Sequence, residues 1–294
     1  MGDLKILSYV RVICGINLLV FQFFVIAPYF TEIYSTDSFF SSALSTQLSD
    51  SYFSFSVLFY FNTIARLLCF IIWVLCSFAL IFGASSWVFW ILIIFLNSQF
   101  HNLNPLIVHE PQQILNFLIL VMPFLNCTKF NLFELLDLRK EKTDDAPLEI
   151  GLLTFFLGFY YFLAGVKKIP LKSWQYGDGF QEILSWNGIA RPWLEDLEPM
   201  FNNFFIDLSL NAMNYSILIF EISFLFLAFT RAKRYLIPIG LLFQILNFAL
   251  FDVGLFFLIM LSLYPVLLSQ LGFFGFLKSL KDTFFLVKDD RMRF

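Results

Sequence analysis

The chain has 294 residues, of which 59% are hydrophobic and only 14% charged, with a formal net charge of -3 and a mean hydropathy of +0.78. A soluble domain of this length carries nearer a quarter charged residues, so the composition excludes one. The apolar stretches are long and unbroken rather than short and alternating, which predicts an all-α integral membrane protein and not a β-barrel. Two His and four Cys give little material for a metal site. Cys14, Cys69, Cys76 and Cys127 lie in apolar segments without a Cys-x-x-Cys pair, so they read as small buried hydrophobes. No metal and no nucleic-acid partner is expected. The 43 Phe residues read as a compositional bias and are assigned no chemistry.

The first apolar run follows Lys5, carries Arg11 and lacks a small-x-small exit, so it reads as a retained transmembrane helix and not a cleaved signal. Met1-Gly2 makes a poor match to a myristoylation start, because Ile6 stands where the motif has Ser or Thr. Eight spans are predicted, at about 7–30, 64–83, 86–101, 112–128, 149–168, 212–230, 235–252 and 254–272. The third and fourth are short for a bilayer, and Asp252-Val253-Gly254 leaves only a tight link between the last two. No internal repeat interrupts the bundle, which reads as one domain over 1–272 with a basic tail over 273–294.

The loops orient the bundle. Lys129, Arg139, Lys140 and Lys142 fall in 128–148; Arg231, Lys233 and Arg234 fall in a later loop; Lys278, Lys281, Lys288, Arg291 and Arg293 fall in the tail. With eight spans and an inner N-terminus all three regions face the cytoplasm, while 31–62, with no Lys or Arg, faces outward. Lys167 and Lys168 then end the fifth span at the outer face, where the rule gives no reason for them. Snorkelling cations at a helix C-terminus and a functional lysine both fit this pattern. Trp174 likewise fits an interfacial belt residue. The outer stretches "STDSFFSSALSTQLSDSYFSF" and "GDGFQEILSWNGIARPWLEDLEPMFNNFFIDLSLNAM" read as a polar cap and as short amphipathic helices, either a lid over a site or plain connectors.

Ionisable groups inside a bilayer are functional candidates by default. Arg11 and Arg66 lie at the inner end of the first span and the outer end of the second. Glu221 lies mid-span in "LIFEISFLF", with a structural partner such as Arg66 or Arg11 favoured over proton transfer. Gln244 and Asn247 are three apart and share a helix face, and Asp252 ends the same helix. His101 and His109 flank the link between the third and fourth spans. His109, Lys168, Gln244 and Asn247 would line one apolar cavity for a lipid-soluble ligand if three spans converge at their outer ends. For Gln244 and Asn247 an interhelical hydrogen-bonding role is the simpler reading.

"YFLAGVKKIPLKSWQYGDGFQEIL" resembles the matching stretch of the vitamin K-dependent gamma-glutamyl carboxylase family and its bacterial relatives, the HTTM-domain proteins. Residues 161 to 177 follow the family's Tyr-Phe-x-Ala-Gly-x-x-Lys, spacer, Trp and Gly-containing turn. "FQILNFALFDVGLFFLIML" is similar to the family's Phe-His-x-x-Asn segment, and "NPLIVHEPQQILNFL" to its loop between the third and fourth helices. Arg11 and Glu221 also fall where HTTM proteins carry Arg and an acid, and the likeness covers most of residues 5 to 270.

The resemblance implies a use for a lysine. A reduced quinone of the vitamin K type must lose a proton before oxygen attacks it, and only a neutral amine accepts that proton; an apolar setting disfavours the charged form of an amine. The family's base matches Lys168, and Lys167 points about 100° away round the helix. His109 is the resemblance's second catalytic candidate, and Lys167, Trp174, Gln244 and Asn247 are its substrate-binding or cavity candidates. Arg11, Arg66 and Glu221 are structural polar groups of the spans. The sequence departs from the family at Gln244, where the family carries His, and after the last predicted span a short basic tail is expected where the carboxylases continue into a large extracytoplasmic domain. Two functions follow from the likeness. One is a quinol-dependent, carboxylase-like (carbon–carbon lyase) or epoxidising enzyme at the outer face of a bacterial cytoplasmic membrane. The other is a non-enzymatic membrane partner in the maturation or export of a secreted peptide or protein.

Overall fold

The computed structural model describes residues 3–34, 57–83, 86–103, 110–125, 127–136, 146–184, 204–251 and 256–270. The fold is all-helical, with no strand among the described residues. Four helical stretches are long and apolar enough to cross a membrane: Asp3–Tyr29, Thr63–Phe82, Pro147–Lys168 and Leu208–Leu227. These coincide with the first, second, fifth and sixth expected spans. The third, fourth and seventh spans correspond to shorter or more polar helices, Trp87–Leu103, Glu110–Val121 and Lys233–Leu250. The eighth falls on two short pieces, Phe256–Leu261 and Tyr264–Ser269. The segment 35–56, residues 185–203, Asp252, His109 and the tail lie outside the described residues.

The chain divides into two compact units, 1–146 and 147–294. In the first, α1 (Asp3–Phe21) packs against α2 (Thr63–Phe82), followed by α3 (Trp87–Leu103), α4 (Glu110–Val121) and the one-turn α5 (Leu132–Leu136). The ends of α2 are set by local chemistry. The Asn62 side chain accepts from the Ala65 N–H at 2.8 Å, an N-cap that satisfies one orphan donor. Gly83 closes the other end in the left-handed region, φ 99°, its N–H reaching the Ala79 and Leu80 carbonyls. α1 and α2 run antiparallel and close. A Cβ on Gly15 would stand 2.6 Å from Ile81 Cγ1, and Gln22 Nε2 donates to Ser77 Oγ at 2.9 Å. Past Phe21 the backbone widens into a π-helix over Gln22–Ile26. The outward side of α2 is apolar throughout, with Ile64, Leu68, Leu75 and Phe82 exposed.

The second unit holds α6 (Pro147–Lys168), the one-turn helices α7 (Lys172–Tyr176) and α8 (Gly179–Leu184), then α9 (Phe204–Leu227), α10 (Lys233–Leu250), α11 (Phe256–Leu261) and α12 (Tyr264–Ser269). Proline starts α6, where its missing N–H costs nothing, and Pro170 follows its end. α6 and α9 pack antiparallel through two glycines seven residues apart. A Cβ on Gly158 would meet Leu225 Cα at 2.9 Å, and one on Gly165 would meet Ile222 Cγ1 at 2.8 Å. Small residues let the two backbones approach, as at membrane helix interfaces. α12 is tied to α6 by Gln270 Nε2, which donates to Thr154 Oγ1 at 2.6 Å.

Candidate functional site

The last turn of α6 turns its two lysines to different surroundings. Lys167 is exposed, and Lys168 lies against α9. The Lys168 ammonium donates to both carboxylate oxygens of Glu221, at 2.5 and 2.6 Å. The pair is unequal in exposure: 22% for the Lys168 side chain and 5% for that of Glu221. Gly165 makes this possible. It lies one turn before Lys168 on the same face, and a Cβ there would press on Glu221 Cβ at 3.1 Å.

Trp174 covers the ammonium. Lys168 Nζ lies 4.8 Å from its ring centroid, a cation–π distance. α7 folds back to bring the ring there. Asn214 Nδ2 on α9 donates to the Trp174 carbonyl at 3.0 Å, and the Tyr215 hydroxyl donates to the Gln175 carbonyl at 3.0 Å. The Gly-Asp-Gly turn has two separate reasons for its glycines. Gly177 holds φ 93°, and a Cβ on it would strike Asn211 Oδ1. Gly179 lies against the indole, with a Cβ clash of 2.7 Å to three ring atoms. Trp174 is 5% exposed, a buried roof over Lys168 and not an open belt residue.

Seven residues before Lys168, two turns down α6, a second polar knot is buried. The Tyr161 hydroxyl accepts from Gln244 Nε2 at 2.5 Å and lies 3.3 Å from the Tyr264 hydroxyl. Phe220, Phe224 and Phe243 pack around the Tyr161 ring. Asn247 on the same helix is only half-buried, so the two amides of α10 have different surroundings. Tyr161, Tyr264 and Asn214 are site components that the sequence reading missed. The available signal was the seven-residue interval between Tyr161 and Lys168, which keeps them on one helix face.

The partner the structure gives Glu221 is Lys168, where sequence reasoning favoured an arginine. The two arginines serve backbone carbonyls. Arg11 Nη2 donates to Phe130 O at 2.9 Å and Ile81 O at 3.4 Å. Arg66 donates from Nε to Leu58 O and from Nη1 to Tyr34 O, each at 2.9 Å. His101 is buried in the first unit, and His109 lies outside the described residues. Among the described residues no three His, Cys, Asp or Glu side chains gather as a metal site.

The arrangement can hold and move one proton. It pairs an amine with a buried carboxylate at hydrogen-bond contact, under an aromatic roof, at the C-terminal end of α6. No protein-family model matches the chain, and neither a curated protein nor a solved structure matches it.

Proposed function

We propose that this chain is an integral membrane protein of eight spans with both termini in the cytoplasm of a bacterial membrane. Its Lys168–Glu221–Trp174 cluster accepts a proton from a lipid-soluble quinol at the outer face. The exposed apolar side of α2 supports the membrane reading, since water disfavours so continuous an apolar stripe. The likeness to the HTTM domain of the vitamin K-dependent carboxylases supports the quinol and the outer face.

The observation that carries the catalytic reading is the two-oxygen contact of Lys168 with Glu221. As an ammonium Lys168 can only donate. Glu221 can take one of its protons across an existing hydrogen bond, leaving a neutral amine and a carboxylic acid. The amine then accepts the proton of a quinol hydroxyl, and Glu221 returns to its ionised form by giving its proton to water on the Lys168 side, where the pair reaches solvent. A quinol held there would, once deprotonated, react with dioxygen, while Lys168 and Glu221 carry the proton. Carbon dioxide and a secreted peptide glutamate are the further reactants that a carboxylase-like course requires.

A second reading rests on the same contact. Both oxygens of Glu221 accept from one nitrogen, so the pair also works as a fastener between α6 and α9. In that case the protein is a non-enzymatic partner for a secreted peptide. One experiment separates the two. Purified protein is given a reduced naphthoquinone, air and bicarbonate, and epoxide is sought by mass spectrometry. Epoxide from the wild type, absent from folded Lys168→Ala and reduced at least tenfold in Glu221→Gln, is the expected result. No epoxide from folded wild type, across several quinols and with candidate peptides added, leaves the fastener reading.

A further inference from the structure

The first unit buries a polar cluster that the Lys168 site does not use. The His101 imidazole, on α3, stacks on Phe21 of α1 with centroids 5.4 Å apart and meets the Trp73 ring of α2 at 6.2 Å, edge-on. Gln22 follows Phe21, and its amide reaches Ser77, whose hydroxyl donates to the Trp73 carbonyl at 3.1 Å. Gln22, Trp73 and His101 are 0%, 0% and 3% exposed. Each carries a buried polar atom without a hydrogen-bond partner among the described residues: Gln22 Oε1, Trp73 Nε1 and His101 Nε2. A buried polar atom left unmet weakens the fold, so each of the three calls for a partner.

The identity of the missing partner follows from counting hydrogens. His101 Nδ1 lies 2.5 Å from the Asn97 carbonyl, which only accepts, so the ring hydrogen is on Nδ1 and Nε2 offers a lone pair. Gln22 Oε1 offers a second lone pair, and Trp73 Nε1 a hydrogen. A single atom serving all three needs two hydrogens to give and a lone pair to receive. An alcohol or phenol has one hydrogen, a carbonyl has none, and an ammonium cannot accept. Water has both. We propose that Gln22, Trp73 and His101 hold a single buried water that ties α1, α2 and α3 together. Three hydrogen bonds are typical for such a molecule. The backbone gives an independent sign. The π-helix begins at Gln22, and such widened turns recur at functional positions.

The test is 15N NMR of the full-length protein in detergent, labelled at histidine and at indole nitrogen. His109→Gln leaves His101 as the sole histidine, and Trp73→Phe identifies the Trp73 indole by its loss. If that variant does not fold, contact with the His101 ring assigns the indole instead. The expected result is a hydrogen on Nδ1, an Nε2 resonance displaced from the free lone-pair position, and magnetisation transfer from water to the Trp73 indole hydrogen. A hydrogen on Nε2, a free Nε2 lone pair, or an indole hydrogen with no water contact overturns the proposal. So does a stoichiometric organic molecule released on denaturation and seen by mass spectrometry.

Discussion

Lys168 and Glu221 share a short contact but not the same access to water, and that asymmetry sets the cost of losing either one. Lys168→Met takes the ammonium from a carboxylate whose side chain is 5% exposed, whereas Glu221→Gln takes the carboxylate from an ammonium whose side chain is 22% exposed. Breaking a buried pair costs roughly 3–5 kcal/mol when the remaining charge cannot reach water. Lys168→Met is therefore expected to destabilise by about 3 kcal/mol, near the low end, and Glu221→Gln by distinctly less. Thermal unfolding in detergent measures both. The double variant Lys168→Met with Glu221→Met is expected to recover most of the loss, because neither charge of the pair remains to be buried. Equal losses for the two single variants would mean that exposure does not govern the pair. At this scale the sequence was informative about Lys168 and silent about its partner. A lysine at the outer end of a span is conspicuous against the positive-inside rule. Its pairing with a residue 53 positions away depends on how α6 meets α9, and periodicity does not encode that.

The meeting of α6 and α9 is set by glycines, and the three glycines of α6 before its last turn have different surroundings. A Cβ on Gly158 runs into the Leu225 backbone at 2.9 Å, while one on Gly151 meets nothing within 4 Å. Gly158→Ala must push α9 outward, at a cost of about 1–3 kcal/mol. Gly151→Ala removes backbone freedom and adds helix propensity, for a gain of about 0.5–1 kcal/mol. Melting temperatures of the two variants should therefore move in opposite directions. Gly177→Ala is expected to lower stability as well, since its φ of 93° and the nearby Asn211 both oppose a side chain. The elements were legible to different degrees. Long apolar runs announced the helices 3–29, 63–82, 147–168 and 208–227 within a few residues. The breaks at the end of α1 and between α11 and α12 were not legible, because local backbone widening and short turns leave the hydropathy of a stretch almost unchanged. Gln244 was visible as a polar group on a helix face. Its partner Tyr161 was hidden among aromatic residues whose bulk and hydropathy resemble those of their neighbours.

For the molecule as a whole, the distribution of Lys and Arg makes the firmest claim. Residues 31–62 contain neither, while 128–148 contain four. In intact cells a membrane-impermeant maleimide is expected to label Ser45→Cys and not Asp144→Cys. Disruption of the membrane should expose the second. The natural cysteines add little background, since Cys14, Cys76 and Cys127 are buried and Cys69 is partly so. Labelling of Asp144→Cys in intact cells would reverse the orientation and move the Lys168 site to the inner face.

The roof over Lys168 is an indole, and an indole emits light. The ammonium stands 4.8 Å from the Trp174 ring centroid, close enough for its field to act on the excited state. Neutralising that charge, or moving it, changes the colour and yield of the emission. The difference in fluorescence between the wild type and Trp174→Phe isolates this one signal among the six tryptophans. A proton leaving Lys168 would therefore be visible as it happens, with no label added to the protein.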